Sequence, residues 1–338
     1  MNQELSNIIE NQYPYPIAVE FRRLLTPEYS KPGTMRLHKI LEVTENTAHF
    51  LALLTVCELR ELVERKQLTI SDAYSKEFPG RITRTSMGKW IALLRDSLAL
   101  VQASGQETFV RELPEFFLKK SNAPAPAQEA FNKLTSLRNN LAHPTQELTT
   151  HDYLQACNKA EELLEVILKE LHFITGYHML HIEDVSVEYH RWSPPVWNHS
   201  VADAAGHNSA FKELAIQFNE LMYTPSAFIS RRSNDTAVSG TQTNALSIEP
   251  LILRSSEGSG KIKDIFLYQD IDLKKCDVSY KPCDKGGAFS LSSSEKYTEL
   301  IQGFIYMLKP FLPEKEAGQL IAGISGKDQK NSLLEGVL

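Results

Sequence analysis

The chain has 338 residues, 42% of them hydrophobic and 23% charged, a balance that excludes a disordered or low-complexity protein and fits one large or two ordinary domains. Its formal net charge of −6 excludes a broadly basic surface for nucleic acid. Divided after residue 175, the first part holds 20 Lys+Arg against 22 Asp+Glu and the second 16 against 20, so contact with a polyanion requires a local basic cleft, or one assembled from two copies.

No run of eighteen or more apolar residues is present, so a membrane span is not expected. The opening MNQELSNIIENQYPYP lacks the basic start and apolar centre of a secretory leader. Cys57, Cys157, Cys276 and Cys283 are scattered and form no CxxC pair, which reads as reduced thiols in a cytoplasmic protein, two of them packed in helices.

In chain order, residues 1–175 read as successive helices. Leu37, Ile40, Leu41, Ala48, Leu51, Leu59 and Leu62 keep a spacing of three to four and predict one long helix. Phe78-Pro79-Gly80 predicts a break in a polar loop. Ser86 is placed to cap a helix carrying Trp90, Leu93, Leu94, Leu98 and Val101, and a shorter segment follows over 109–118. Pro124 and Pro126 predict a turn, since two prolines cannot sit inside a regular helix. A helix is then expected over 127–141, and Thr149, Thr150, His151 and Asp152 start a last long one reaching Leu171.

Beyond Thr175-Gly176 the periodicity changes. Strands are predicted over 182–189, 246–253, 262–268, 276–280 and 288–291, with helices over 207–222 and 294–308. Residues 230–244 read as a polar loop and those after Gly323 as a weakly structured tail. The expected fold class is α+β: an all-helical unit over 1–175, a smaller α+β unit over 176–322 and a tail over 323–338.

The most informative segment is Arg138-Asn139-Asn140-Leu141-Ala142-His143, followed by Pro144. On a straight helix, Asn139 and His143 share a face while Arg138 and His143 diverge. Pro144 disfavours the helical conformation at His143, so the helix should end near Ala142 and free the imidazole to swing toward Arg138. An imidazole that titrates near neutrality can take the 2′-hydroxyl proton of RNA or protonate a leaving 5′-oxygen. A guanidinium can grip the scissile phosphate, and Asn139 can donate to it or fix the imidazole tautomer. This chemistry calls for no metal and no cofactor. The residues alone equally allow Arg138 on a solvated helix face and His143 in a terminating turn.

A helical unit with one long early helix, then R-N-x-x-x-H leading into a last long helix, resembles the HEPN superfamily. The resemblance covers residues 1–175. It implies a metal-independent endoribonuclease leaving a 2′,3′-cyclic phosphate, acting as a homodimer in toxin or anti-phage (abortive-infection) defence, with a neighbouring-gene regulator as a further partner. It assigns Arg138 and His143 to the catalytic pair and Asn139 to the polar position beside the arginine. Family members paired with a nucleotidyltransferase antitoxin carry tyrosine two residues after the histidine. Here that position is Thr145, so the resemblance does not extend to that control. Because some members keep the fold without the activity, the alternative is a helical dimerisation or adaptor protein whose C-terminal unit binds a partner. A third possibility is a nucleotide or small ligand contacted by Arg138 without turnover.

Other residues carry weaker signals. Glu42 and Glu45 on the long helix could reach the motif, with Glu45 orienting His143 or Arg138; solvated helix charges are the plainer reading. Arg95, next to Asp96, is a helix-surface pair or a second phosphate contact. Glu257-Gly258-Ser259-Gly260-Lys261 lacks the spacing of a phosphate loop and reads as a hairpin turn. The histidines around His178 and His181 lack a zinc-ligand spacing, so no metal is predicted. Arg191-Trp192 and Trp197, around two prolines, suggest a recognition surface or internal packing, and Arg231-Arg232 a weak basic contact.

Overall fold

The structure is a computed structural model. It describes residues 2–118, 123–143, 147–218, 227–231, 245–255, 264–275, 277–284, 287, 289–291 and 298–318. Helices come first: α1 (Gln3–Gln12), α2 (Tyr15–Leu24), α3 (Thr34–Glu64), α4 (Asp72–Ile82), α5 (Met87–Ala103), α6 (Leu113–Phe117), α7 (Pro126–Ala142) and α8 (Thr150–Glu170). Strands follow, nine among the described residues: β1 (Tyr177–Glu188), β2 (Val196–Asp203), β3 (Lys212–Phe218), β4 (Ala227–Arg231), β5 (Ala245–Ser247), β6 (Ile252–Ser255), β7 (Asp264–Asp272), β8 (Asp277–Pro282) and β9 (Phe289–Leu291). Helix α9 (Thr298–Leu308) closes the series. The class is α+β, helices then antiparallel sheets, and the change falls where the sequence changes, at Gly176. No described helix is long and apolar enough to cross a membrane.

Helix α3 organises the rest. Every residue from 46 to 59 on it is buried, so it has no solvated face over almost four turns. Helices α2, α5 and α8 pack along it. The four-stranded sheet β6-β7-β8-β9 covers another side, where His49 donates from Nε2 to the Tyr268 carbonyl and stacks on Trp90 at 4.0 Å between ring centres. Cys57 reaches the Ile248 carbonyl at 3.6 Å. Apolar side chains of helices and strands form one continuous core across Gly176.

The five-stranded sheet runs β3-β2-β1-β4-β5, antiparallel throughout, with β1 in the middle. Tyr177, Met179 and Ile229 face the main core, while Leu180, Ile182, Val201 and Phe228 form a small second core on the other face. Its link to the first helices is close. The Tyr15 N–H donates to the Ala204 carbonyl at 2.9 Å, and Gly206 N–H to the Tyr13 carbonyl at 2.8 Å. Gly206 has φ of 77° and a Cβ there would lie 3.0 Å from the Glu10 carbonyl oxygen, so both conformation and space require glycine.

Several expected elements are different. Phe78-Pro79-Gly80 lies inside α4 rather than in a loop. Ser71 caps that helix, and Tyr74, Phe78 and Ile82 line one buried face, a burial that outweighs the hydrogen bond lost at Pro79. The segment expected to be helical over 207–222 contains strand β3 at Lys212–Phe218, because pairing with β2 sends Leu214 and Ile216 to the second core; residues 219–222 lie outside the described ones. The single strand expected over 246–253 is two, β5 and β6, in different sheets and separated at Pro250, which has no N–H for a ladder. Strand β1 starts five residues earlier than the alternation suggested, and β2 and β4 carried no clear sequence signal. Ser86 stands at the N-cap of α5, but its side chain makes no capping hydrogen bond. The expected hairpin turn over 257–261 and the tail after Gly323 fall outside the described residues; the flanking β6 and β7 are antiparallel neighbours.

His49 and His181 are fully enclosed, and burial pushes both imidazoles down to about 3. Folded values below the unfolded value of about 6.5 mean that the stability from neutral burial is complete above that pH and is lost as pH falls toward 3. Urea titrations should show wild type losing on the order of 2 kcal/mol per buried histidine between pH 7 and pH 5. His49→Phe should show a shallower decline; equal slopes would count against this account.

Candidate active site on the seventh helix

Helix α7 starts with Pro126 at its first turn, where a missing N–H costs nothing. Ala127, Ala130, Phe131 and Leu134 are buried, and Leu137 and Leu141 continue the stripe half-buried. Phe131 meets Phe117 and Phe116 edge-on, with ring centres 5.6 and 6.4 Å apart. Gly88 of α5 lies against Thr135. The apolar stripe therefore fixes the rotation of α7 and decides which residues of the motif face water.

The helix ends at Ala142, as the position of Pro144 predicts, although Pro144 and Thr145 themselves lie outside the described residues. His143 leaves the helical conformation at φ −133° and ψ 66°, while its N–H still donates to the Asn139 carbonyl at 3.0 Å. Arg138 is half-buried at the edge of the stripe; Asn139 and His143 are exposed. Among the described residues neither Arg138 nor His143 forms a side-chain hydrogen bond or ion pair. A half-buried cation and an exposed imidazole thus stand five residues apart at this helix end, neither with a side-chain partner among the described residues.

The two supporting candidates are not joined to them. Arg95 on α5 is bound to Asp96 at 2.8 Å, and Asp96 also takes Arg81 at 3.3 Å. Glu45 is half-buried on α3 and makes no hydrogen bond to the motif among the described residues. Glu42 is occupied by Lys39, which also reaches Glu20 at 3.2 Å. These charges read as ordinary ion pairs in the first case and the last.

Elsewhere, His178 Nδ1 lies 2.7 Å from Asp203 Oδ2 on the neighbouring strand. No group of three or more His, Cys, Asp or Glu suited to a metal ion occurs among the described residues. Trp192 is 88% exposed at the β1–β2 turn with the Arg191 guanidinium 5.0 Å from its ring centre, so it packs against no other part of the described chain. Cys57, Cys157 and Cys283 are buried free thiols. Glu58, which no sequence motif marks, is 5% exposed in the most buried part of α3. Burial pushes its carboxyl up to about 8. The available signal was a carboxylate set among Val56, Cys57 and Leu59, with no periodic slot for a charge.

No protein-family model, curated protein or solved structure matches this chain. The functional reading rests on its own residues.

Arg138→Ala and His143→Ala should each change the urea-unfolding free energy by less than about 0.5 kcal/mol, as surface substitutions away from packing features do. Phe131→Ala, under the same helix, should cost about 3–5 kcal/mol. A large loss from either surface variant would show that the motif has a structural job after all.

Proposed function

We propose that the chain is a metal-independent endoribonuclease of HEPN type that works as a homodimer in toxin or anti-phage defence. The observation that carries this reading is that Arg138 and His143, at the end of a helix whose apolar stripe uses neither, have no side-chain partner among the described residues. In the proposed reaction His143 removes the proton of a ribose 2′-hydroxyl. The 2′-oxygen forms a bond to phosphorus as the bond from phosphorus to the 5′-oxygen breaks. The products are a 2′,3′-cyclic phosphate and a 5′-hydroxyl. Arg138 holds the phosphate oxygens, where charge accumulates, and Asn139 supplies a further hydrogen bond.

One imidazole cannot both accept the first proton and donate to the leaving oxygen within the same step. A second copy of the motif supplies the acid, and its Arg138 adds the positive charge that a chain of net charge −6 otherwise lacks. The dimer therefore accounts for both the proton balance and the electrostatics.

Purified protein incubated with total RNA in EDTA should release 2′,3′-cyclic phosphate ends, and Arg138→Ala and His143→Ala should each lower the rate by at least about a hundredfold. Expression of wild type should arrest growth where both variants do not. Equal cleavage by wild type and His143→Ala would overturn the catalytic assignment and leave the dimerisation or adaptor reading. A protein that stays monomeric at micromolar concentration would overturn the shared cleft.

A further inference from the structure

A cavity of about 640 Å³ lies where the end of α3, the α5–α6 connection and strands β4 and β5 meet. Its volume falls in the range of small-molecule sites. It is remote in sequence from the motif on α7, and its walls contain none of Arg138, Asn139 or His143. Two side chains give it chemical character, and one residue, Phe109, holds both. The Phe109 N–H donates to Glu58 Oε1, and the Phe109 carbonyl accepts from Arg231 Nη2 at 2.7 Å. The Arg231 guanidinium also covers the Phe109 ring, 5.5 Å from its centre. The acid and the cation are thereby fixed side by side on the cavity wall.

Among the described residues neither has all its polar atoms matched. Glu58 is 5% exposed and lines the cavity; Oε1 is taken by the Phe109 N–H, and Oε2 makes no hydrogen bond among the described residues. Arg231 Nε is buried with no partner, and Arg231 forms no ion pair among those residues. The other charges that line the cavity are matched. Glu61 on α3 is bound to Arg65 at the C-cap of that helix, and Glu107 to Arg111, at 3.3 Å, on the α5–α6 connection. Burial is the main cause that raises the Glu58 carboxyl to about 8; the Phe109 N–H bond opposes it most, Glu61 adds to it and Arg231 opposes it. At neutral pH this carboxyl keeps its proton. Its free oxygen then joins an unpaired guanidinium as a donor rather than an acceptor. A wall with two donors and one unmatched positive charge is built for a negative group. Leu62 and Leu246 line the same space and offer apolar surface to the rest of a ligand.

We propose that this cavity binds a small organic oxyanion, its head group held between the Arg231 guanidinium and the Glu58 carboxyl, its apolar body against Leu62 and Leu246. A phosphate monoester and a carboxylate share this head-group chemistry. Bound there, the ligand touches α3 and the α5–α6 connection on one side and strands β4 and β5 on the other, so it ties the helical part of the chain to the sheet.

The test uses three probes with one aromatic ring each, by calorimetry on the full chain: phenyl phosphate, benzoate and the neutral benzyl alcohol. At least one of the two anions should bind, and the stronger names the head group; benzyl alcohol should not. Arg231→Met should weaken the bound anion by at least about tenfold, through loss of a charge-assisted hydrogen bond. Because the donor form of Glu58 is required, wild-type affinity should fall by about tenfold between pH 7 and pH 9. Glu58→Gln keeps an acceptor for Phe109 N–H and a donor for the ligand, so its affinity should match wild type at pH 7 and stay level to pH 9. Far-ultraviolet circular dichroism separates misfolding of the Arg231 variant from loss of the site, and the Glu58→Gln profile does not depend on that variant. The proposal is overturned if neither anion binds, if benzyl alcohol binds as well as they do, or if Glu58→Gln declines with pH as wild type does. Cleavage of RNA is not a readout here, so failure of this site and failure of the ribonuclease reading are distinguishable.

Discussion

The full enclosure of α3 is the constraint on which the other elements depend. A helix with one apolar stripe needs one neighbour, but residues 46–59 leave no stripe for water. Helices pack on part of its surface, strand β5 meets it, and β7 is tied to it through His49 and the Tyr268 carbonyl, so the helical and strand-rich parts complete one core. Polar side chains inside this helix need partners as well. Thr44 and Thr47 return their hydroxyls to carbonyls one turn back, and Asn46 and His49 reach carbonyls of Pro16 and Tyr268. Each satisfied group also fixes the register of the element it touches.

Helix α7 obeys a different rule. It buries one stripe and leaves the other face free, and its last turn extends into water. The same apolar contacts that hold Phe131 set the direction of Arg138, so packing and site geometry are one choice. Glu58 is the opposite case: it lies in the most buried part of α3, and that burial raises its carboxyl to about 8 while Oε1 still accepts from Phe109 N–H. The two candidate sites thus arise from exposure in one place and enclosure in the other.

Much of this was legible in the residues. The long helix, the helix before His143, its end at Ala142 and the switch at Gly176 all follow from periodicity, capping and proline. The failures have a common cause. Pro79 reads as a breaker in the sequence because its local cost is visible there and the compensating burial of Tyr74, Phe78 and Ile82 is not. Residues 212–218 carry a pattern short enough for helix or strand, and only pairing with β2 decides it. Strands β2 and β4 depend on neighbours contributed by β1, so their own residues say little.

What the sequence by itself determined is local: which segments are helical, where they stop, and that Arg138, Asn139 and His143 share the end of one of them. Only the tertiary structure decided which groups remain without partners. Among the described residues Arg95 and Glu42 are consumed by ion pairs and Arg138 and His143 are not, and Glu58 and Arg231 line one cavity although 173 positions separate them in the chain. Hydrogen-bond satisfaction and desolvation are properties of surroundings, and surroundings come from residues far apart in sequence.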